Sequence, residues 1–410
     1  MLDKNLFLYD LAVVAIFKDE APYLKEWLDY HLLAGVEHFY LYNNDSSDDC
    51  KKILAPYVEK NLVTLTDFPG KVMQHVAYDD AVEKFRFDCR YMAFIDLDEF
   101  IFPKTNQKIS EVVDEILSAD SNAAGLGINW QIFGSNGQDK ADYSRGVLER
   151  FTRRASIDRP FWDGNGNKSG TAYVKTIANP RFVNYIQSPH HAVYFVGKNF
   201  VNSDGKIISG SYNFPVLYEK IVVNHYCIKS REEFLIKQNK GRSDRNGSLD
   251  MQYFFTNDCN ETFDDGILKY RAAREKIFSF ESDEQRISRV INSLVRTLTQ
   301  NPHGKPETFL TCRAVAEKFG IKIGDRSAEE FALVRIYQLL MKCDSWDYAD
   351  AQLLFDVAGE IVSRPFPLAK KILKLFSVRA LPVMIDAAKN SKAWSDYKNY
   401  RNMKRLLDSI

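Results

Sequence analysis

Residues 11–17, LAVVAIF, form an unbroken apolar run with β-branched Val13, Val14 and Ile16 at its centre. A strand buried on both faces reads this way, whereas a half-exposed strand would alternate. The run stops at Lys18-Asp19-Glu20. From 21 to 34 the period becomes helical, with Leu24, Trp27, Leu28, His31 and Leu32 three and four residues apart and Gly35 placed to end the helix. The alternation then repeats: strand 38–42, helix 49–60, strand 62–66, helix 74–87, strand 91–95. Strand and helix in strict succession predict an α/β fold, a parallel sheet with helices on both faces. Ligands of such sheets sit at the carboxyl ends of the strands. Here those ends carry residues 18–20, 43–48, Asp67, and Asp96-Leu97-Asp98-Glu99.

The last of these ends carries the sharpest chemistry. If the strand continues through Asp96-Leu97-Asp98, residues i and i+2 share a side, and the two carboxylates converge while Leu97 turns inward. Two such carboxylates suit a hard divalent ion, Mn²⁺ or Mg²⁺. That ion would bridge the oxygens of a nucleotide diphosphate and neutralise it as a leaving group.

Beyond residue 123 the pattern is mixed. Short strands are expected at 125–133, 149–154, 174–177, 193–196 and 221–225, with a turn at 134–139 and a loop at 163–170. From about 230 the chain reads as helical. The expected division is a domain at 1–260, with a nucleotide-binding half at 1–120 and an acceptor half at 121–260, followed by a helical C-terminal domain at 261–410. With 410 residues, 45% of them hydrophobic, the chain has ample material for such cores.

Lys plus Arg and Asp plus Glu number 55 each. A neutral chain has no global field for nucleic acid or an anionic membrane, so an anionic ligand must be held locally. Cys50, Cys89, Cys227, Cys259, Cys312 and Cys343 are scattered without a C-x-x-C pair, which fits a reducing compartment. No run approaches the roughly 18–20 apolar residues that span a bilayer. The expectation is a cytoplasmic protein, with peripheral contact at the inner membrane face left open. The helical domain is expected to serve homo-oligomer or membrane contact, or simply to pack: 369–376 (AKKILKLF) looks amphipathic, with a solvated lysine face.

Four segments together, from AIFKDEAPYL at Ala15 through NNDSSD at 43–48, AFIDLDEFIFP at 93–103, NWQIFGSNG at 129–137 and VNHYCIKSREEFLIKQNKGR at 223–242, resemble glycosyltransferase family 92 and its bacterial family-2-like relatives. The resemblance covers residues 11–250 and implies a GT-A fold. It also implies transfer of a sugar from a nucleotide-diphosphate donor, a UDP-sugar foremost, to a glycan or glycolipid acceptor, metal-assisted and inverting. By the same resemblance, Lys18, Glu20, Asn44, Asp45 and Asp96 would contact the nucleotide. His225 would join Asp96 and Asp98 as a metal ligand. Trp130 and Gly134 would face the acceptor, and Lys175 would meet a phosphate. Each has a plainer reading too: Glu20 as a charge at a helix N-terminus, Asn44 and Asp45 as turn formers, His225 as a core histidine. Lys229, Lys237 and Arg242 follow and could reach the diphosphate. Of His190 and His191, adjacent in an expected strand, at most one faces the cleft. The base that deprotonates the acceptor is either Asp139 or Glu149, with Asp163 in a loop as a third possibility. Other classes remain: a nucleotidyltransferase, which would normally carry a Gly-rich loop where this chain has the acidic 18–20, or a non-catalytic scaffold of the same fold.

Overall fold

The computed structural model describes residues 3–159, 170–241, 247, 249–270, 281–300, 304–342, 347–356, 367–379, 381–384 and 386. The chain forms two compact units: one of Tyr9–Tyr194 with Asn199–Phe280, the other of Met1–Leu8, Phe195–Lys198 and Glu281–Ile410. Asp163 and Arg242 lie outside the described residues.

The larger unit opens with the expected alternation: β1 (Tyr9–Phe17), α1 (Ala21–Leu33), β2 (His38–Asn43), α2 (Cys50–Glu59), β3 (Val63–Asp67), α3 (Gln74–Phe85) and β4 (Cys89–Phe94). Then follow β5 (Glu99–Pro103), α4 (Ile109–Ser118), β6 (Ala123–Ile132), α5 (Val147–Arg150), β7 (Arg153–Arg154), β8 (Val174–Ala178), β9 (Val183–Ser188), β10 (His191–Tyr194), β11 (Asn199–Val201), β12 (Ile221–His225), α6 (Arg231–Lys240), α7 (Met251–Asn257) and β13 (Thr262–Phe263). One mixed sheet runs β3-β2-β1-β4-β8-β6-β12-β5, with β11 also paired to β6. β1, β2, β3 and β4 are mutually parallel, and Phe17, Asn43 and Asp67 line up along one edge. β8 is antiparallel to both β4 and β6, and β12 is parallel to β6 but antiparallel to β5. Every residue of β2 and β4 is buried, the polar His38, Asn43 and Arg90 with the apolar ones.

β5 is the outer strand of this sheet, and its free backbone edge is covered by a helix. Trp27 Nε1 donates to the carbonyl of Glu99 at 2.8 Å, and the Tyr30 hydroxyl to that of Ile101 at 2.8 Å. The Ile101 N–H points to His31 Nε2 at 3.3 Å. These three side chains sit at i, i+3 and i+4 on α1, so one helix face substitutes for a neighbouring strand. His31 holds its ring by Nδ1 to the Trp27 carbonyl at 2.8 Å, and burial pushes its pKa down to about 3, so the imidazole is neutral and Nε2 can accept. Gly35 ends the helix region at φ +101°, a conformation few side-chain-bearing residues adopt.

Two expectations differ locally. The stretch 149–154 is a helical turn, α5, followed by the two-residue β7. Glu26 accepts hydrogen bonds from the Val147 and Leu148 N–H groups at 2.6 and 3.4 Å, capping that turn from far along the chain. The strand expected at 193–196 is found earlier, as β10, paired to β9.

In the smaller unit, α8 (Asp283–Gln300), α9 (Pro306–Phe319), α10 (Ala328–Lys342), α11 (Tyr348–Asp356) and α12 (Pro367–Arg379) dominate. Val290, Leu294, Leu298, Phe309, Leu310, Leu333, Ile336 and Leu340 are buried. On α12, Ile372, Leu373 and Phe376 are buried while Lys370, Lys371 and Lys374 are exposed. Its apolar face is thus taken up by packing. Among the described residues no helix is long and apolar enough to cross a membrane.

Candidate active site

The ends of β1, β2, β4 and β12 open onto a cleft of about 500 Å³, all of it in the larger unit. Nine of the residues singled out in the sequence line it: Lys18, Glu20, Asn44, Asp96, Asp98, Trp130, His190, His225 and Lys237. Gln74, Lys71 and Lys240 line it as well.

The D-x-D segment is a turn and not a strand. β4 ends at Phe94 and β5 starts at Glu99. The turn is closed by the Glu99 N–H donating to the Asp96 carbonyl at 3.1 Å and by the Asp96 N–H donating to Glu99 Oε2 at 3.0 Å. The i, i+2 rule for strands therefore does not apply, and the two carboxylates take different partners. Asp96 accepts from Gln74 Nε2 at 2.6 Å and from Lys175 Nζ at 2.9 Å. Asp98 faces Lys237 Nζ at 2.5 Å and His225 Nε2 at 3.5 Å.

Register supplies the third group. In the antiparallel β12–β5 pair His225 stands opposite Glu99, and the Tyr226 N–H donates to the Asp98 carbonyl at 2.8 Å. Asp98, Glu99 and His225 consequently bring one ligand atom each within 4.8 Å of one another, and all three are buried. Glu99 Oε1 has no hydrogen-bond partner and lies 4.0 Å from His225 Nε2. A buried orphan oxygen beside an imidazole and a second carboxylate fits a divalent ion that accepts oxygen and nitrogen donors, such as Mn²⁺.

The electrostatics are consistent with that fit. Burial and the flanking Asp96 and Asp98 push the Glu99 carboxyl well above its usual range, against the pull of Lys175. Burial likewise opposes charge on Asp98, but Lys237 and His225 outweigh it and hold this carboxyl well below its usual range. Burial lowers the pKa of His225, which favours the neutral imidazole a metal needs.

The other expected site residues take various places. Lys175 is buried under the cleft floor, 2.9 Å from Asp96 and 3.3 Å from Glu99, so its ammonium serves those carboxylates. Burial would lower its pKa, but the two carboxylates raise it well above the ordinary lysine value. Asn44 donates to the carbonyls of Phe68 and Gly70, both at 2.9 Å, and so shapes the loop whose Gly70, Lys71 and Val72 line the cleft. Asp45 is exposed, accepting from the Gly70 N–H at 3.3 Å. Glu20 makes no side-chain cap on α1; Asp48 takes the Ala21 N–H at 2.7 Å, and Glu20 pairs with Lys240 at 3.0 Å. Lys229 is buried with its ammonium over the Tyr23 ring. Asp139 is exposed and Glu149 pairs with Arg145, both outside the cleft lining. Of the two histidines, His190 faces the cleft, 5.0 Å from Trp130 between ring centroids, while His191 turns towards Phe200.

Gly134 is not a cleft residue. A Cβ there would lie 2.5 Å from the Cys259 carbonyl oxygen, so the close approach that requires glycine is to the chain's own backbone. Gly134→Ala is expected to destabilise the unit by about 1–3 kcal/mol; thermal melting checks this, and an unchanged midpoint would contradict it.

Glu99, Gln74 and Lys240 were not singled out in the sequence as site residues. Glu99 adjoins the D-x-D and could have been weighed with it. Lys237 and Lys240 are three apart on α6, a spacing that puts both on one helix face.

The strand ends of this α/β sheet thus surround a cluster of two carboxylates and an imidazole with the donor set of a divalent-ion site. The family profile described as glycosyltransferase family 92 matches residues 13–262, and the chain belongs to that family. A family 92 protein of Ricinus communis is 23% identical over 248 residues, 58% of this chain and 41% of that protein. One of Oryza sativa is 25% identical over 217 residues, 51% of this chain and 34% of that protein. The chain thus matches less than half the length of these relatives. An Arabidopsis thaliana protein named galactan beta-1,4-galactosyltransferase is 30% identical over 100 residues, 22% of this chain and 19% of that one. Among solved structures, Staphylococcus aureus TarS 1–349 aligns at 11% identity with a TM-score of 0.30, covering 98% of this chain and 91% of that one.

Proposed function

We propose that this chain transfers a sugar from a nucleotide diphosphate, a UDP-sugar foremost, to a glycan or glycolipid acceptor with inversion, using a divalent ion held by Asp98, Glu99 and His225. The observation that carries the reading is the convergence of those three ligand atoms within 4.8 Å at the floor of a cleft bounded by strand ends. When bound, the ion would withdraw charge from the diphosphate leaving group. Asp96 lies beside this cluster on the same turn, positioned by Gln74 and Lys175. Lys18, Glu20 and the Asn44-shaped loop form the nucleotide side. Lys237 and Lys240 supply cations for the diphosphate. Trp130, 4.2 Å from His225 between ring centroids, offers an aromatic wall on the acceptor side.

The acceptor hydroxyl must lose a proton within hydrogen-bond reach of a base. Asp139 and Glu149 do not face the cleft, and this reading gives the role to His190. Its Nδ1 lies 3.1 Å from the Val174 carbonyl, which places the ring proton there and makes Nε2 the basic nitrogen.

The test is to incubate the protein with UDP- and GDP-sugars, UDP-galactose first because of the galactosyltransferase relatives, with Mn²⁺, Mg²⁺ or chelator. Expected is nucleotide diphosphate release with metal and none with chelator. Absence of both nucleotide-sugar binding and turnover under every metal would sink the proposal; nucleotide binding without sugar release would favour a scaffold.

A further inference from the structure

The cleft already contains cations of its own, and they differ in how firmly they are held. Lys175, on β8, has a side chain 1% exposed and is shared by Asp96 and Glu99. Lys237 comes from α6, with a side chain 30% exposed, and reaches Asp98 Oδ2 at 2.5 Å on the open side of the cluster. Its ammonium also donates to the Cys227 carbonyl at 3.0 Å. Asp98 offers its other oxygen to His225 at 3.5 Å, and the orphan oxygen of Glu99 lies just beyond. The lysine ammonium therefore holds one oxygen of the carboxylate whose other oxygen faces the remaining ligand atoms, so ammonium and divalent ion would share a single negative charge a few ångströms apart.

We infer that Lys237 is a tethered counter-ion that competes with the divalent ion for Asp98, and that it releases Asp98 when a diphosphate enters to receive its charge. This rests on the proposed metal role of Asp98, Glu99 and His225. A free cation must take Oδ1 while the ammonium stays beside it on Oδ2, which is repulsive in a poorly solvated cleft. A cation arriving with a diphosphate gives the displaced ammonium an anionic partner one helical turn from Lys240, which already lines the same cleft. Metal and nucleotide are thereby coupled: the metal alone binds weakly, and each favours the other.

The test measures Mn²⁺ binding directly, by the electron paramagnetic resonance signal of the free ion, in the wild-type chain and in Lys237→Gln, Lys237→Met and Lys237→Arg. Glutamine retains a donor for the Cys227 carbonyl and methionine retains the aliphatic stem, so two neutral variants guard against a folding defect in one. Each is first matched to the wild type by circular dichroism and melting. Without nucleotide, the neutral variants should bind Mn²⁺ about tenfold more tightly or better, given unscreened charges a few ångströms apart, and the arginine variant should stay near the wild type. Inorganic pyrophosphate should bind the neutral variants about tenfold more weakly in saturating Mn²⁺, as befits loss of one charge-assisted contact. Wild-type binding of Mn²⁺ with no tightening in the folded neutral variants overturns the inference alone. No Mn²⁺ binding by any chain, with or without pyrophosphate, overturns the metal reading and this inference with it.

Discussion

Asp98→Asn should lower metal-dependent turnover about a thousandfold, some 4 kcal/mol of transition-state stabilisation. Asparagine keeps the shape and can still accept from Lys237, so the fold should survive with little change in melting temperature. Mn²⁺ affinity should fall in parallel. Asp96→Asn is the informative contrast. Asp96 is held by Gln74 and Lys175 and is not one of the three converging ligand atoms. Its replacement should weaken Mn²⁺ binding far less than that of Asp98. Equal losses at both positions would restore Asp96 to the ligand set, and full activity in Asp98→Asn would show that the metal site lies elsewhere.

Glu233→Gln should be the most destabilising single change of comparable size in the larger unit. Arg150 and Glu233 form a two-pronged ion pair at 2.7 and 2.8 Å, each side chain 1% exposed. Glu233 also accepts from the Tyr23 hydroxyl at 2.9 Å, from Ser230 Oγ at 2.6 Å and from the Ser230 N–H at 3.1 Å, the last completing a capping box on α6. The substitution leaves the Arg150 charge buried without its counter-charge, which costs about 3–5 kcal/mol. For a unit of this size that lowers the melting midpoint by about 10 °C. The pair also fixes a pH dependence. Burial opposes ionisation of Glu233, but Arg150 and Ser230 win and bring its pKa from 4.5 down to about 2. A depressed folded-state pKa gives stability that is complete above about pH 4.5 and is lost as pH falls towards 2, a total of about 3 kcal/mol. Denaturant titrations at pH 6 and pH 3 should show the wild type losing stability through this group and Glu233→Gln losing less; identical slopes would contradict it.

The parallel half of the sheet was legible because a strand buried on both faces is written as an apolar run, as in 11–17 of β1 and 91–94 of β4, and because β2 and the half-exposed β3 are set off between helical stretches. The site was legible where it adjoins those runs: residues 18–20, Asn44, Asp96 and Asp98 follow strand ends directly. What escaped depends on partners distant in sequence. The D-x-D reads as the continuation of a strand, yet the chain turns there because 99–103 pairs with 221–225, more than a hundred residues on. Residues 149–154 carry strand-like composition, but Glu26 caps a helical turn at Val147. Lys175 is expected by resemblance to meet a phosphate, and only the fold brings Asp96 and Glu99 against it. Asp139 follows the acceptor-side strand as a base should, but its loop leads it out to solvent.

The pairing of His225 with Glu99 ties the metal cluster to the counting of residues along two strands. Side chains alternate across a sheet, so inserting or deleting a single residue within Glu99–Pro103 or Ile221–His225 would turn one ligand towards the opposite face while leaving the apolar composition almost unchanged. Length variation among functional descendants of this chain should therefore collect in the connections, such as 134–146 or 202–220, and avoid those two five-residue strands altogether.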